Sequence, residues 1–253
     1  FIQMLRNTKK RDVLQLLRRA PEEMLPFIIE AAVAAQSVAS LAALSEFLDF
    51  GKEPKSLLEK FLYAAAFSPR PSGELLWLVL DKLDGKQLAP EVQEAGIVAM
   101  GSLVGKLCQQ QLCGLQQEVE RGVKTILTGL RGAKKESEVV IYLLALGNAV
   151  LPETIHTLLD HAEEGPTAIA TAAISALQRF PARHISGKVK RAMRRIFHEK
   201  RKSYEKTCRL AAAEILLDNE PLPMDVINIL LAANKMETEM AAFLLLKVQN
   251  SLR

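Results

Sequence analysis

The chain has 253 residues, of which 49% are hydrophobic, 25% charged and only 5% aromatic, and its net charge is +4. That balance belongs to an ordinary folded chain and excludes disorder. The longest uncharged runs, residues 31–45 and 139–152, fall short of the roughly 18–20 apolar residues that a membrane-spanning helix needs, so no transmembrane segment is expected.

Caps and breakers predict about fourteen helices. Helices at 12–19, 22–35, 38–50 and 55–67 are separated by Pro21, Gly51 and Pro54. Ser72 is placed to cap the next, which runs through Leu75 to Leu80 and stops at Asp84-Gly85. Further helices follow at 91–108, 115–130, 136–148, 153–163, 167–180, 188–200, 204–217, 223–232 and 237–252. Alternating apolar and polar runs with turn dipeptides are absent, so no strand is expected.

A repeating unit stands out within this succession. An Ala/Leu-rich helix ends in Asn, Gly or Pro and is followed by an amphipathic one, and Pro152, Pro181 and Pro221 mark successive ends at offsets of 29 and 40 residues. Such periods belong to stacked helix pairs. The expected fold is therefore all-α, an α-α superhelix or α-solenoid, in one continuous domain over residues 1–253. Phe1 stands where an initiator Met would be, so the sequence reads as a piece of a longer chain.

Charge is concentrated in one place. Between Arg183 and Arg209 eleven Lys and Arg face only Glu199 and Glu205, a local +9, which leaves −5 for everything else. Lys188, Lys190, Arg191, Arg194, Arg195, Lys200, Arg201 and Lys202 form its centre, a candidate docking surface for an acidic partner, an anionic lipid surface or nucleic acid; the plain alternative is a solvated helix face. Aromatic residues for base stacking are confined to Phe197 and Tyr204, which argues against nucleic acid.

No catalytic or cofactor site assembles. His156, His161, His184 and His198 lack the i, i+4 spacing of a helical metal pair, and no nucleophile elbow occurs. The run from Gly101 to Lys106 resembles a phosphate loop only superficially, since its spacing is wrong and no strand precedes it. Gly96, Gly101 and Gly105 instead suggest a helix approached closely by a neighbour. Arg209 heads the apolar stripe Ala212, Ala213 and Leu216, and Glu239 heads Ala242, Phe243 and Leu246, which predicts a buried ion pair between the two. The alternative partner for Arg209 is Glu205, one turn earlier.

Three cysteines are too few for a disulfide framework and wrongly spaced for zinc. Cys108 and Cys113 could not bridge within an unbroken helix, but Gly114 suggests a turn there, and both a local disulfide and two reduced thiols remain compatible with the spacing.

Several segments resemble the superhelical domain of the large lipid transfer proteins, the family of vitellogenins and apolipoprotein B. They are Glu46-Phe-Leu-Asp-Phe50, Lys60-Phe-Leu-Tyr-Ala64, Lys106-Leu-Cys-Gln109, Tyr142-Leu-Leu-Ala-Leu-Gly-Asn148, Leu151-Pro152-Glu153, Ala176-Leu-Gln-Arg179, Tyr204-Glu-Lys-Thr207 and Met224-Asp-Val226, and the likeness is greatest to the triglyceride-transferring branch. The resemblance implies a double-layered helical arch flanked in the longer protein by β-sheet domains that hold the lipid. It implies a location in the endoplasmic reticulum lumen, heterodimer formation with protein disulfide isomerase, and loading of triglyceride, phospholipid or cholesteryl ester onto nascent apolipoprotein B. It also implies a Cys108–Cys113 disulfide, whereas Cys208, where the family pattern leads one to expect valine, reads as a buried thiol. The alternatives are a cytosolic HEAT-like adaptor for an acidic partner or RNA, and a yolk lipid carrier of the vitellogenin type.

Overall fold

A computed structural model of the chain describes residues 1–84, 88–110, 113 and 117–251. Among these the structure is helical, with no strand. The backbone falls into two compact units, Phe1–Lys134 and Lys135–Arg253.

The first unit contains α1 (Ile2–Arg6), α2 (Lys10–Arg19), α3 (Leu25–Ala35), α4 (Val38–Phe47), α5 (Lys55–Ala66), α6 (Gly73–Leu83), α7 (Pro90–Gln109) and α8 (Gln117–Gly132). They form two layers: α1, α3, α5 and α7 stack side by side in one, and α2, α4, α6 and α8 in the other. Burial follows from position in the stack. On α2 only Val13, Leu14 and Leu17 are buried and Lys10, Arg11, Arg18 and Arg19 face out, whereas α4, packed on both α2 and α6 and on α3, buries Ser40 through Ser45 without a break. A helix with neighbours on several sides must be apolar nearly all round. The Ser72 hydroxyl accepts from Leu75 N at 3.2 Å and caps α6 as the sequence suggests.

The second unit contains α9 (Glu136–Ala149), α10 (Ile155–Glu164), α11 (Thr167–Leu177), α12 (Gly187–Phe197), α13 (Lys206–Asp218), α14 (Pro223–Ala233) and α15 (Thr238–Ser251), with 3-10 turns at Pro152–Thr154 and Ala182–His184. Here α9, α11, α13 and α15 are adjacent in one layer, while α10, α12 and α14 pack across them on α11, α13 and α15. Pro152, Pro181 and Pro221 each follow a helix of the same layer, which is why their spacing reports the repeat.

Some boundaries differ from expectation. A short helix at Ile2–Arg6 precedes those expected, and α4 stops at Phe47, short of Phe50, as Leu48 turns to extended backbone. Gly147 and Asn148 do not stop α9; the helix runs to Ala149 and Val150 takes the left-handed conformation at φ 50°. The predicted breaks at Gly85 and Gly114, the predicted helix start at Leu115 and the predicted end at Leu252 lie outside the described residues. Cys108 and Cys113 are joined, with their Cα atoms 4.3 Å apart, and Cys208 is a buried free thiol.

The basic stretch as a candidate docking surface

Helix α12 carries the centre of the charge island. Val189, Ala192, Met193, Ile196 and Phe197 are buried, so lysines and arginines occupy the remainder of its circumference. Two of them are held within the unit. Arg194 pairs with Asp225 on α14, Nη2 to Oδ2 at 2.8 Å, and Arg195 pairs with Glu163 on α10, Nη2 to Oε2 at 3.0 Å; in both pairs Nε bonds the second carboxylate oxygen. Both are two-pronged guanidinium–carboxylate contacts, the strong geometry for this pair. The Asp225 side chain is only 4% exposed and that of Glu163 11%. The Arg195 hydrogen bond foremost holds the Glu163 carboxyl below its ordinary range, and the Arg194 bond does the same for Asp225.

Other members of the island close helix ends. Lys190 Nζ donates to the carbonyl of Glu220, at 3.0 Å, just past α13. At the end of α10, Lys202 Nζ donates to Gly165 O, the Tyr204 hydroxyl donates to Glu163 O at 2.8 Å, and Arg201 lies 3.8 Å from the Glu163 carboxylate. Cations at helix C-termini satisfy orphan carbonyls and oppose the negative dipole end. Of the eight cations, Lys188, Arg191 and Lys200 are exposed residues of the stretch for which the structure gives no such internal contact.

Arg209 and Glu239 do not pair. The Arg209 side chain, 20% exposed, donates from Nε to Phe197 O at 3.0 Å and from Nη1 to the Glu199 carboxylate at 3.2 Å. Glu205, the alternative, is not its partner in this geometry either. The stripe Ala212, Ala213 and Leu216 is buried as predicted, but α15 buries Met240, Leu244 and Val248 instead, which leaves Glu239 exposed and Leu246 58% exposed. The charge contact that does link α13 to the start of α15 joins Lys206 to Glu237. Glu199 also accepts from Ser203 Oγ and Tyr204 N, each at 3.0 Å, and so organises the whole turn between α12 and α13.

Sequence reading missed the acidic halves of these contacts, Glu163, Glu199 and Asp225. For two of them a signal was present: Arg194 and Asp225 are 31 residues apart, Arg195 and Glu163 32, which is one repeat. Lys106, the last residue of the loop-like Gly101 run, has a structural role of the same kind. Its ammonium donates to Ala66 O at 2.7 Å, at the last residue of α5, and to Ser68 O at 3.2 Å just beyond it, and burial lowers its pKa. Among the described residues no group of three or more His, Cys, Asp or Glu is placed to hold a metal ion, and no helix is long and apolar enough to cross a membrane.

The Vitellogenin TPR domain profile matches residues 1–246, nearly the whole sequence. The chain belongs to the Vitellogenin TPR domain family. It is 43% identical over 254 aligned residues to the microsomal triglyceride transfer protein large subunit of Homo sapiens, and 43% identical to that of Bos taurus; each alignment covers all of this chain and 28% of the relative. A solved structure, entitled lipid-protein interactions in lipovitellin, superimposes with a TM-score of 0.74 over 92% of this chain and 25% of that one, at 19% identity. Membership of the Vitellogenin TPR domain family and this shared fold agree with the all-α superhelical reading, and the likeness to the triglyceride-transferring branch holds. The chain spans about 28% of the length of these relatives.

Proposed function

We propose that residues 1–253 act as one helical domain of a lipid transfer protein in the endoplasmic reticulum lumen, a structural and partner-docking element without catalytic or cofactor chemistry of its own. Lipid is held by β-sheet domains elsewhere in the longer protein, and triglyceride, phospholipid or cholesteryl ester passes from there to nascent apolipoprotein B. Protein disulfide isomerase is the second subunit. What supports this reading is the likeness, along the whole of this chain, to part of proteins named triglyceride transfer protein large subunits, a name that itself implies a further subunit. A Cys108–Cys113 disulfide suits an oxidising lumen.

Within this reading Lys188, Arg191 and Lys200 present the charge that meets the partner, since Lys190, Arg194, Arg195 and Lys202 are engaged internally. The triple variant Lys188→Glu, Arg191→Glu, Lys200→Glu should bind protein disulfide isomerase about tenfold more weakly at low salt, with the difference shrinking as salt screens the contact. Its melting curve should match the parent's, because exposed charges contribute little to stability. Equal affinity of parent and variant would return the stretch to a solvated face.

A further inference from the structure

The first unit carries a groove of the opposite electrostatic character. Between α3 and α5 the surface opens into a hollow of about 490 Å³. Leu25, Phe27, Ile29 and Leu57 supply its apolar wall, and Phe27 is 68% exposed although it is among the largest apolar side chains of the unit. A second hollow of about 240 Å³ continues along α3 past Val33 and Ala34, sharing Glu30, Leu57 and Lys60 with the first. From Leu25 to Ala34 the trough follows about 14 Å of helix axis, at the usual rise per residue.

The rim is acidic. Glu22, Glu30 and Glu53 border the hollow against the single cation Lys60, which is paired with Glu30 at 2.8 Å. The lysine of that pair is 59% exposed and the glutamate 64%, so the contact is weak and open to exchange with an incoming cation. A chain of net charge +4 thus has, at this apolar hollow, a local excess of carboxylate.

We propose that this groove is a docking site for a basic amphipathic helix of a partner protein, its apolar side chains seated beside Phe27 and Leu57 and its Lys or Arg side chains meeting Glu22, Glu30 and Glu53. An apolar floor gives affinity, and the charged border selects the sign of the partner and its register. An anionic lipid headgroup is disfavoured by the same border. The site is remote in sequence from the basic stretch and does not rest on the function proposed above.

The test uses the 253-residue chain and two fluorescein-labelled peptides of about 14 residues with leucines at helical spacing, one filled with lysine and the other with glutamate. Fluorescence anisotropy should show the Leu/Lys peptide binding roughly tenfold more tightly than the Leu/Glu peptide. Phe27→Ala should weaken that binding several-fold without shifting the melting temperature, because the ring is already exposed. Glu22→Lys with Glu53→Lys should turn the preference toward the Leu/Glu peptide. Equal binding of the two peptides, or a preference untouched by both variants, would overturn the proposal. Attachment to phosphatidylcholine vesicles that Phe27→Ala abolishes, with no peptide preference, would assign the groove to a lipid surface instead.

Discussion

Arg209 joins the last carbonyls of α12 to the glutamate that organises the following turn, with its Nε on Phe197 O, its Nη1 on Glu199 and its guanidinium 5.8 Å from the Phe197 ring centre. Arg209→Ala removes two charge-assisted contacts and the packing of the aliphatic stem, and should cost about 2–3 kcal/mol, read as a lower urea midpoint. Arg194→Ala should cost more, about 3–5 kcal/mol, because it strands the Asp225 carboxylate at 4% side-chain exposure. A loss below about 1 kcal/mol in either variant would show that the contact is not formed in solution. The need of Arg209 for a partner was legible, since a charge at the head of a buried stripe has to be satisfied. Its partner was not. Phe197 O and Glu199 lie at and beyond a helix end, where periodicity carries no information, and Glu199 itself sits in the left-handed conformation at φ 51°.

At the scale of elements, the close approach of α9 and α11 depends on one missing side chain. A Cβ at Gly147 would stand 2.9 Å from both Cα and Cβ of Ala176 on the neighbouring helix. Two effects then oppose each other in Gly147→Ala: helix propensity favours alanine by about 1 kcal/mol, and overpacking against backbone disfavours it by about 1–3 kcal/mol. The clash is with backbone, which cannot rotate away, so the variant should be destabilised in a thermal melt. Gly132 supplies the control. Nothing lies within 4 Å of a Cβ built there at the last residue of α8, so Gly132→Ala should be neutral or gain a few tenths of a kcal/mol. Matching shifts for the two variants would remove the argument. Apart from the five-residue α1, helix existence and order were readable because apolar spacing is a local signal, and the Ser72 cap was readable because its bond is made three residues away. The role of Gly147 was not: in sequence a Gly-Asn pair near a helix end reads as a stop, and only the position of Ala176, one repeat later, makes it a contact.

For the molecule as a whole, charge pairing follows the repeat. Lys60–Glu30, Lys55–Glu91, Arg121–Asp84, Arg194–Asp225 and Arg195–Glu163 join residues 30 to 37 apart, so each links neighbouring helices of a layer. The basic island was plain in the sequence, but its acidic counterparts Glu163 and Asp225 lie one repeat away and outside the charged window, and the local excess therefore overstates what is left for a partner. This pairing also sets the acid response of each unit. In the second unit Glu163 and Asp225 are held below their ordinary pKa values by Arg195 and Arg194, and His198 is held below its own by burial and then by Lys200 and Arg209. All three are depressed in the fold, so each binds protons more readily in the unfolded chain and its stabilisation is lost as pH falls. The His198 contribution should begin to fade below about pH 6.5, that of Glu163 below about pH 4.5 and that of Asp225 below about pH 3.8, each continuing through its lower folded value. In the first unit the lowered carboxyls Glu30 and Glu91 are exposed partners of Lys60 and Lys55, where screening leaves little effect. The one tryptophan, Trp77 on α6, reports the first unit alone. On acid titration, helical circular dichroism should therefore decline before Trp77 fluorescence changes, and Glu163→Gln should bring that decline to higher pH. Simultaneous loss of both signals, at a pH the variant does not move, would mean that these ion pairs do not determine which unit yields first.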